Sequence, residues 1–347
     1  MSQKKATYII IGAGLSGLTA AYALHKQGET DILILESRDR VGGRILTKNK
    51  IDLGATWFQN YHENIFALLD DLKLEKFHQY SEGKSVLVYS SMAPAHYFEN
   101  DPSYPSAYRI SGGSSALIEK LAAVQKDRIH TNTTVSEIAT AENYVTITTN
   151  TGEYIADKVI ITIPPRIATQ IQFSPKLPET LIKIMSNTHT WMSNAIKVGL
   201  TFETPFWKAK KFSGTLIGQV GCVTELYDHC DAEEKKYALM GFVNEALRDA
   251  TAKERKSQIL DYLQKYLGNE ILNHLSYEEK DWSQDSNTSC AAIKSIYMSP
   301  RYGNPAFQAF YGNGKLLFSG AETSPIHGGY MDGAVYSGFN VVKKILS

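Results

Sequence analysis

The sequence has no excess of charge of either sign. Its 347 residues include 36 lysines and arginines and 36 aspartates and glutamates, so the formal net charge at pH 7 is zero. A chain without net positive charge has no general attraction to nucleic acid or to an anionic membrane surface. The balance therefore argues against nucleic acid and membranes as partners and leaves small-molecule functions open.

Cysteines and long apolar runs are also scarce. The three cysteines, Cys222, Cys230 and Cys290, are odd in number and fit no zinc spacing, which predicts neither a disulfide framework nor a metal site. No run approaches the roughly 20 apolar residues of a membrane helix, and the polar residues before the first strand do not resemble a secretory signal. We therefore expect a soluble, cytoplasmic globular protein.

A glycine-rich motif opens the chain. The segment "YIIIGAGLSGLTAAYALHKQGETDILILE" places Gly12, Gly14 and Gly17 in the pattern G-x-G-x-x-G between an apolar strand and a helix. The first glycine permits a tight turn, the second lets backbone approach a pyrophosphate, and the third lets helix and strand pack closely. Glu36 ends the next apolar run, where an acid accepts hydrogen bonds from a ribose. The motif predicts a bound dinucleotide.

The following residues favour a flavin nucleotide that takes electrons from a substrate. In "ESRDRVGGRILTKNKIDLGATWF", adjacent glycines precede Arg44, which allows close backbone approach and offers a fork of donors to phosphate or flavin. Flavoproteins that are reduced by NADPH commonly carry a second glycine loop. Gly112 and Gly113 lack a third glycine at the right offset. Electrons are therefore expected to come from a substrate and to leave to oxygen or a carrier.

The periodicity of apolar residues predicts interrupted blocks of strand and helix, as in two domains woven from discontinuous segments. Residues 90–108 are rich in Pro, Ser and Tyr and predict an irregular connection. The predicted strands are 8–11, 32–35, 134–139, 144–149, 153–156, 159–163, 195–202 and 316–319, and the predicted helices are 15–27, 64–74, 115–124, 252–267 and 333–346.

Several stretches resemble the flavin-containing amine oxidase family, which includes the monoamine oxidases, and they occur in the family's order. They are "IIGAGLSGLTAAYAL", "LILESRDRVGGR", "IDLGATWF", "RISGGSSALIEKLA", "VIITIPP", "NAIKVGLTFETPFWK" and "LLFSGAETSPIHGGYMDGAVYSG". The resemblance implies an α/β fold with an FAD-binding, Rossmann-like domain and a discontinuous α+β substrate domain. We expect residues 1–60, 110–172 and 282–347 in the first domain and residues 61–109 and 173–281 in the second, with a reduced helical part.

The resemblance also implies a set of site residues. Lys197 would hold a water at the flavin where oxygen is reduced, and Tyr330 would face the substrate amine. The residues implied to contact FAD are Gly12, Gly14, Ser16, Gly17, Glu36, Arg38, Gly43, Arg44, Gly54, Ala55, Thr56, Trp57, Val135, Trp282, Gly320, Glu322, Gly329, Tyr330, Met331 and Ala334.

The implied activity is oxidation of an amine to an imine, which water hydrolyses to an aldehyde or ketone while oxygen is reduced to hydrogen peroxide. Two alternatives stay open: an FAD-dependent desaturase acting on carbon–carbon bonds, and a flavin-binding scaffold without catalysis. The family's second flavin-facing tyrosine falls here on Ala291 or Ala292. Cys290 lies one residue before the position at which some members bond the flavin, so we expect FAD to be bound without a covalent link.

Overall fold

The structure is a computed structural model that describes residues 4–101, 107–289 and 302–347. The strands are β1 (Lys4–Ile11), β2 (Ile32–Leu35), β3 (Thr47–Lys48), β4 (Ile51–Asp52), β5 (Lys76–His78), β6 (Lys84–Val88), β7 (His96–Glu99), β8 (Tyr108–Ile110), β9 (Ile129–His130), β10 (Val135–Thr140), β11 (Val145–Thr149), β12 (Gly152–Ile161), β13 (Gln172–Ser174), β14 (Ile196–Phe202), β15 (Phe212–Gly218), β16 (Val223–Asp228), β17 (Tyr237–Val243), β18 (Ser276–Asp281) and β19 (Leu316–Phe318). The helices are α1 (Leu15–Lys26), α2 (Glu63–Asp71), α3 (Ser115–Val124), α4 (Pro165–Ala168), α5 (Glu179–Asn187), α6 (Phe206–Ala209), α7 (Ala252–Leu267) and α8 (Met331–Leu346).

The first sheet is built around a parallel core in the order β19-β12-β1-β2-β9. Ile9 and Ile10 of β1 are both 0% exposed although they point to opposite faces, because helices cover the sheet on both sides. The first half of β12 pairs instead with β11, and the antiparallel pair β10-β11 and then β13 extend the sheet on that side.

Helices α1 and α8 pack closely against each other beside this sheet. A Cβ atom at Gly338 of α8 would lie 2.7 Å from the Ser16 carbonyl oxygen and 2.8 Å from the Thr19 Cβ atom of α1. Glycine is therefore required where the two helices meet. Both helices begin at the same cleft, beyond the carboxyl ends of the parallel strands, which is where α/β proteins bind their ligands.

The second sheet has the order β18-β14-β17-β16-β15-β6-β7 and is antiparallel except between β15 and β6. One face packs through Val198, Leu200 and Leu239 against Ile259 and Leu263 of α7. The other face meets residues 51–57, and a Cβ atom at Gly199 would lie 2.4 Å from the Ile51 side chain. We call this contact between residues 51–57 and the second sheet the joint.

The two sheets support the predicted division into domains, whose limits remain a proposal. Strands of the first sheet fall in the segments expected to bind FAD, apart from β13, which crosses the limit at residue 172. Strands of the second sheet fall between residues 61 and 109 or between 173 and 281.

Most predicted elements agree with the structure, and the differences have physical causes. Helices α3 and α7 have the predicted limits. The prediction of two strands at 153–156 and 159–163 was wrong, since β12 is a single strand whose Lys158 pairs with Tyr8 of β1. The irregular connection predicted at 90–108 was wrong only in part, because β7 at 96–99 pairs with β6, and β8, which begins at residue 108, pairs with β5. These strands are short and mostly exposed or half-buried, so they lack a regular apolar pattern.

Among the residues that the structure describes, none of the helices combines the length and the apolarity needed to cross a membrane. Within the same described ranges, no group of His, Cys, Asp and Glu side chains is arranged to hold a metal ion.

Candidate active site

A cleft with about 1250 Å³ of empty space, part of it open to solvent, lies where α1 and α8 begin. Its walls combine the two glycine segments near the amino terminus with the segment before α8. Most of the residues implied to contact FAD line this cleft: Gly12, Gly14, Ser16, Glu36, Arg38, Gly43, Arg44, Ala55, Val135, Gly320, Gly329, Tyr330, Met331 and Ala334.

The three motif glycines meet different constraints. Gly12 has a φ of +105°, which disfavours other residues. A Cβ atom at Gly17 would lie 2.1 Å from the Gly12 carbonyl oxygen, so the third glycine lets α1 pack against the loop. A Cβ atom at Gly14 would meet nothing within 4 Å and would project into open space. The loop thus leaves room for a ligand beside Gly14.

The residues present fit a dinucleotide. Helix α1 has Gly14 as its N-cap and α8 has Tyr330, and neither position provides a side-chain cap. Uncapped helix amino ends present free N–H groups and a positive dipole end to an anion or an electron-rich ring. Near Gly320 the closest atom to an added Cβ would be 3.8 Å away, so the backbone there also leaves space.

Glu36 is buried and braces the glycine loop. One carboxylate oxygen accepts the Ala13 N–H at 2.8 Å and the other accepts the Arg38 N–H at 2.9 Å. A carboxylate has acceptor sites beyond these two, so Glu36 can also receive a ribose hydroxyl. The sequence indicated the ribose contact but gave no sign that the same side chain holds the loop.

Arg38 connects the end of β2 to the segment after β18. Its Nη2 atom donates to the Asp285 carboxylate at 2.6 Å and to the Thr288 hydroxyl at 3.0 Å. Its buried Nε atom has no partner among the residues that the structure describes. Thr288 and Asn287 line the cleft and were missed by the sequence analysis, because their segment has no regular pattern.

Arg44 lines the cleft, and Glu322 lies behind it. The guanidinium forms a two-pronged ion pair with the Glu322 carboxylate, with Nη2 and Oε2 2.9 Å apart, and it also bonds the Thr190 hydroxyl. Burial alone would raise the pKa of Glu322, but the charge and hydrogen bonds of Arg44 outweigh it and lower that pKa. Glu322 was predicted to contact FAD; in the structure it fixes the orientation of Arg44.

The structure does not bring every predicted site residue to the cleft wall. Several lie behind it, at the joint or in the packing of the loop. The Trp282 indole donates to the Leu53 carbonyl at 2.7 Å and is fully buried. The residues behind the wall are Gly17, Gly54, Thr56, Trp57, Lys197, Trp282 and Glu322.

Lys197 lies at the centre of the joint. Its Nζ atom donates to the Gly54 carbonyl and to the Thr56 hydroxyl, both at 2.8 Å, and the side chain is 1% exposed. The ammonium is 5.1 Å from the ring centre of Trp57 and 5.0 Å from that of Phe242. Burial lowers the pKa of Lys197 to about 7. Near neutral pH this lysine therefore exists in both charge states.

Aromatic rings lead from the cleft to the second sheet. Trp57 lies 5.0 Å from Tyr227 and 6.3 Å from Phe242, and Phe242 lies 6.3 Å from Trp191, which lines the cleft. The Tyr227 hydroxyl donates to the Glu225 carboxylate at 3.0 Å. We call Trp57, Trp191, Tyr227 and Phe242 the aromatic cluster. Sequence analysis missed all but Trp57, although the alternation in 223–228 and 237–243 could have indicated strands.

Tyr330 stands at the mouth of the cleft and is 53% exposed. Its ring lies 5.2 Å from that of His62, which in turn lies 4.7 Å from His327. The His327 Nδ1 atom is 2.7 Å from the Asp332 carboxylate. Asp332 also accepts the Ile65 N–H at 2.8 Å and so joins α8 to α2. Cys290, Ala291 and Ala292 lie outside the described residues.

Comparisons with known proteins agree with this site. The family described as "Flavin containing amine oxidoreductase" matches residues 15–105 and 87–346. The chain belongs to this family. It is 25% identical to a probable flavin-containing monoamine oxidase A of Dictyostelium discoideum, over 97% of this chain and 96% of that protein. It is also 25% identical to putrescine oxidase of Kocuria rosea, over 85% of this chain and 86% of that protein.

Solved structures share the fold. A putrescine oxidase with bound putrescine has a TM-score of 0.86 at 23% identity and covers 99% of this chain and 100% of its own. Cyclohexylamine oxidase from Brevibacterium oxydans has a TM-score of 0.84 at 21% identity, over 98% of both chains. Family membership confirms the predicted cofactor, FAD, and the predicted activity, the FAD-dependent oxidation of an amine.

Proposed function

We propose that this flavin amine oxidase binds its amine between Tyr330 and the aromatic cluster and that Lys197 assists the transfer of electrons to oxygen. The observation that carries the proposal is the placement of Lys197. The fully buried Nζ atom of Lys197 is held by the Gly54 carbonyl and the Thr56 hydroxyl, and it lies 5.1 Å from the ring centre of Trp57 and 5.0 Å from that of Phe242. A lysine that served only to hold the joint would not need two aromatic rings beside it.

The cleft supports a division of binding tasks along FAD. The free N–H groups where α1 begins would bind the pyrophosphate, and Glu36 would accept from the ribose. Arg44, whose orientation Glu322 fixes, would donate hydrogen bonds to FAD from the opposite wall of the cleft. The amino end of α8 would favour negative charge on the part of FAD that lies beside it. Bound FAD supplies the two-electron acceptor, and the protein supplies placement and electrostatics.

The surroundings of the aromatic cluster also suggest a substrate class. Glu225 and Phe242 are directly paired across β16 and β17, and Phe242 is paired with Lys197 across β17 and β14. Directly paired residues share a face of the sheet, with strands roughly 4.8 Å apart. The backbone of Glu225 therefore lies about 10 Å from that of Lys197 on this face of the sheet. We propose that it receives the second ammonium of a diamine such as the putrescine bound by the solved relative.

Anaerobic bleaching of the flavin tests both parts of the proposal. Putrescine and butylamine form a matched pair, since they differ in the second amine. We expect bleaching with both amines and a preference for putrescine, which Glu225→Gln should reduce by about tenfold or more, a loss of about 1.4 kcal/mol. An equal preference for putrescine over butylamine in the wild type and in Glu225→Gln would contradict the diamine proposal. No bleaching by any amine would favour the carbon–carbon desaturase or the non-catalytic scaffold.

We also propose that the enzyme works in the cytoplasm. The zero net charge gives it no general attraction to membranes, and no helix of the described residues could span one. Fractionation of cells that make the protein should leave amine-dependent peroxide production in the soluble fraction. Activity that sediments with membranes would contradict this location.

A further inference from the structure

A cluster of buried ionisable groups lies behind Lys197 and has no place in the function proposed above. Asp52 is 0% exposed, His229 1% and Arg109 3%, while Lys197 itself is 1% exposed. Burying a charge without a partner is costly, so the charges in such a cluster determine one another.

Asp52 is the carboxylate of this cluster. It accepts the Thr47 hydroxyl at 2.5 Å and the Ser114 N–H at 3.0 Å. The backbone N–H of Asp52 donates to Nε2 of His229 at 3.0 Å. Nε2 must then be unprotonated, and burial, helped by the positive charges nearby, holds the pKa of His229 well below its usual value. His229 is therefore a neutral neighbour, and it fixes the backbone of Asp52.

Arg109 is a second cation beside the same carboxylate. Its Nη1 atom donates to the Cys230 carbonyl at 2.9 Å, its guanidinium lies 4.9 Å from the Phe77 ring centre, and its Nε has no partner among the described residues. A guanidinium does not lose its proton in proteins. The cluster thus contains one carboxylate and two cations, and Lys197 is the cation that can give up its charge. Burial raises the pKa of Asp52, and its hydrogen bonds and the charges of Arg109 and Lys197 oppose that rise.

Two further charged groups face Lys197 from the neighbouring strands. Lys280 is its direct partner on β18, but its ammonium is 3.1 Å from the Asp285 carboxylate, which compensates its charge. Glu225 lies two strands away on the other side and favours the ammonium form more weakly than Asp52 does. Neither group is buried to the same degree as Asp52 and Arg109.

We propose that Asp52 and Arg109 are positioning residues that set the charge of Lys197 through space, Asp52 by favouring the ammonium form and Arg109 by opposing it. The importance of this charge for oxygen reduction rests on the function proposed above. The effect on Lys197 itself does not depend on that function, because the charges act whether or not oxygen is the acceptor. The opposing effects of Asp52 and Arg109 keep the pH at which Lys197 changes charge close to neutral, where the enzyme is expected to work.

The proposal predicts opposite effects for two substitutions. Asp52→Asn keeps an oxygen for the Thr47 and Ser114 hydrogen bonds but removes the negative charge, so Lys197 should lose its proton at lower pH. Arg109→Met removes the opposing charge, so Lys197 should keep its proton to higher pH. Each shift should be about one pH unit or more. Mere loosening of the packing would admit water and raise the midpoint in both variants.

The measurement is an NMR titration of the FAD-loaded enzyme labelled with carbon-13 at lysine Cε. The Lys197 signal is assigned by its absence from Lys197→Met. Arg109→Lys is the matched control for Arg109→Met, since it keeps the charge and should leave the midpoint close to that of the wild type. Asp332→Asn removes another fully buried carboxylate that is not among the charged neighbours of Lys197, and it should also leave the midpoint unchanged.

A lowered midpoint in Asp52→Asn together with a raised one in Arg109→Met would support the proposal. An unchanged or raised midpoint in Asp52→Asn would overturn it, as would equal shifts in Arg109→Met and Arg109→Lys. If Asp52→Asn does not fold, the two Arg109 variants still decide. Stopped-flow reoxidation of the same variants separates the two proposals. Shifted NMR midpoints without a matching shift in the pH profile of reoxidation would reject the oxygen role of Lys197 and leave the positioning role standing.

Discussion

The cleft and the joint are built in different ways. The cleft is formed largely by backbone: two glycine segments, Gly12–Gly17 and Gly42–Gly43, approach until a Cβ at Gly43 would lie 3.3 Å from the Gly14 Cα atom. The joint is formed by side chains that converge from four strands, among them Asp52, Lys197 and Phe242. Recognition by backbone requires consecutive residues and leaves a local pattern in the sequence, whereas convergence of side chains leaves none.

The largest expected effect is a loss of FAD affinity at Gly14, where a side chain would fill space for the ligand without disturbing the packing of the glycine loop. The φ of −77° at Gly14 suits any residue, and its Cβ would enter open space. We expect Gly14→Val to weaken FAD binding by about 100-fold or more, about 2.7 kcal/mol, because the side chain occupies the position of the pyrophosphate. Calorimetric titration of the apoprotein with FAD measures this.

Gly17→Val is the matched control for that change. Its Cβ would lie 2.1 Å from the Gly12 carbonyl oxygen, so α1 must move. The melting temperature of the apoprotein should fall in Gly17→Val and stay close to the wild-type value in Gly14→Val. If both variants lose stability equally, the cleft beside Gly14 is not the open ligand site that the structure indicates.

Substitution of Glu36 should have an intermediate effect on two quantities, the affinity for FAD and the stability of the protein. Its carboxylate holds the Ala13 and Arg38 N–H groups, so Glu36→Ala disturbs the loop as well as the ribose contact. We expect a loss of FAD affinity of about tenfold or more and a loss of unfolding free energy of about 1–2 kcal/mol in the apoprotein. Chemical denaturation and FAD titration measure the two parts. Unchanged FAD affinity would show that this acid does not serve the ribose.

The smallest effect concerns the pH dependence of stability. The pKa of Lys197 is about 7 in the folded protein and about 10.4 when unfolded, so between these values the unfolded chain binds more protons. Stability contributed by this site therefore rises as pH rises from 7 toward 10. The wild type should gain roughly 1 kcal/mol relative to Lys197→Met between pH 7 and 8. A difference that stays flat over this interval would mean that Lys197 is normally solvated.

The same contrast explains what could be predicted from the sequence. The strand, glycine loop and α1 were found because apolar periodicity and glycine spacing are local signals. Tyr227 and Glu225 were missed because they come close to Trp57 and Lys197 only through strand pairing that the sequence does not specify. Trp191 was missed because no local pattern marks it as part of the cleft wall. Lys197 was identified only by resemblance, because a lone lysine on a strand gives no sign of burial and the two rings beside it are distant in the chain.

The most direct test separates the two half-reactions of Lys197→Met, which removes the charge at similar length. If the cleft serves the amine and FAD while Lys197 serves oxygen, stopped-flow mixing with amine under anaerobic conditions should bleach the flavin at close to the wild-type rate. Mixing of the reduced variant with oxygen should then be slower by about tenfold or more, about 1.4 kcal/mol of barrier. Unchanged reoxidation, or an equal loss in both half-reactions, would contradict the assignment of the joint to oxygen.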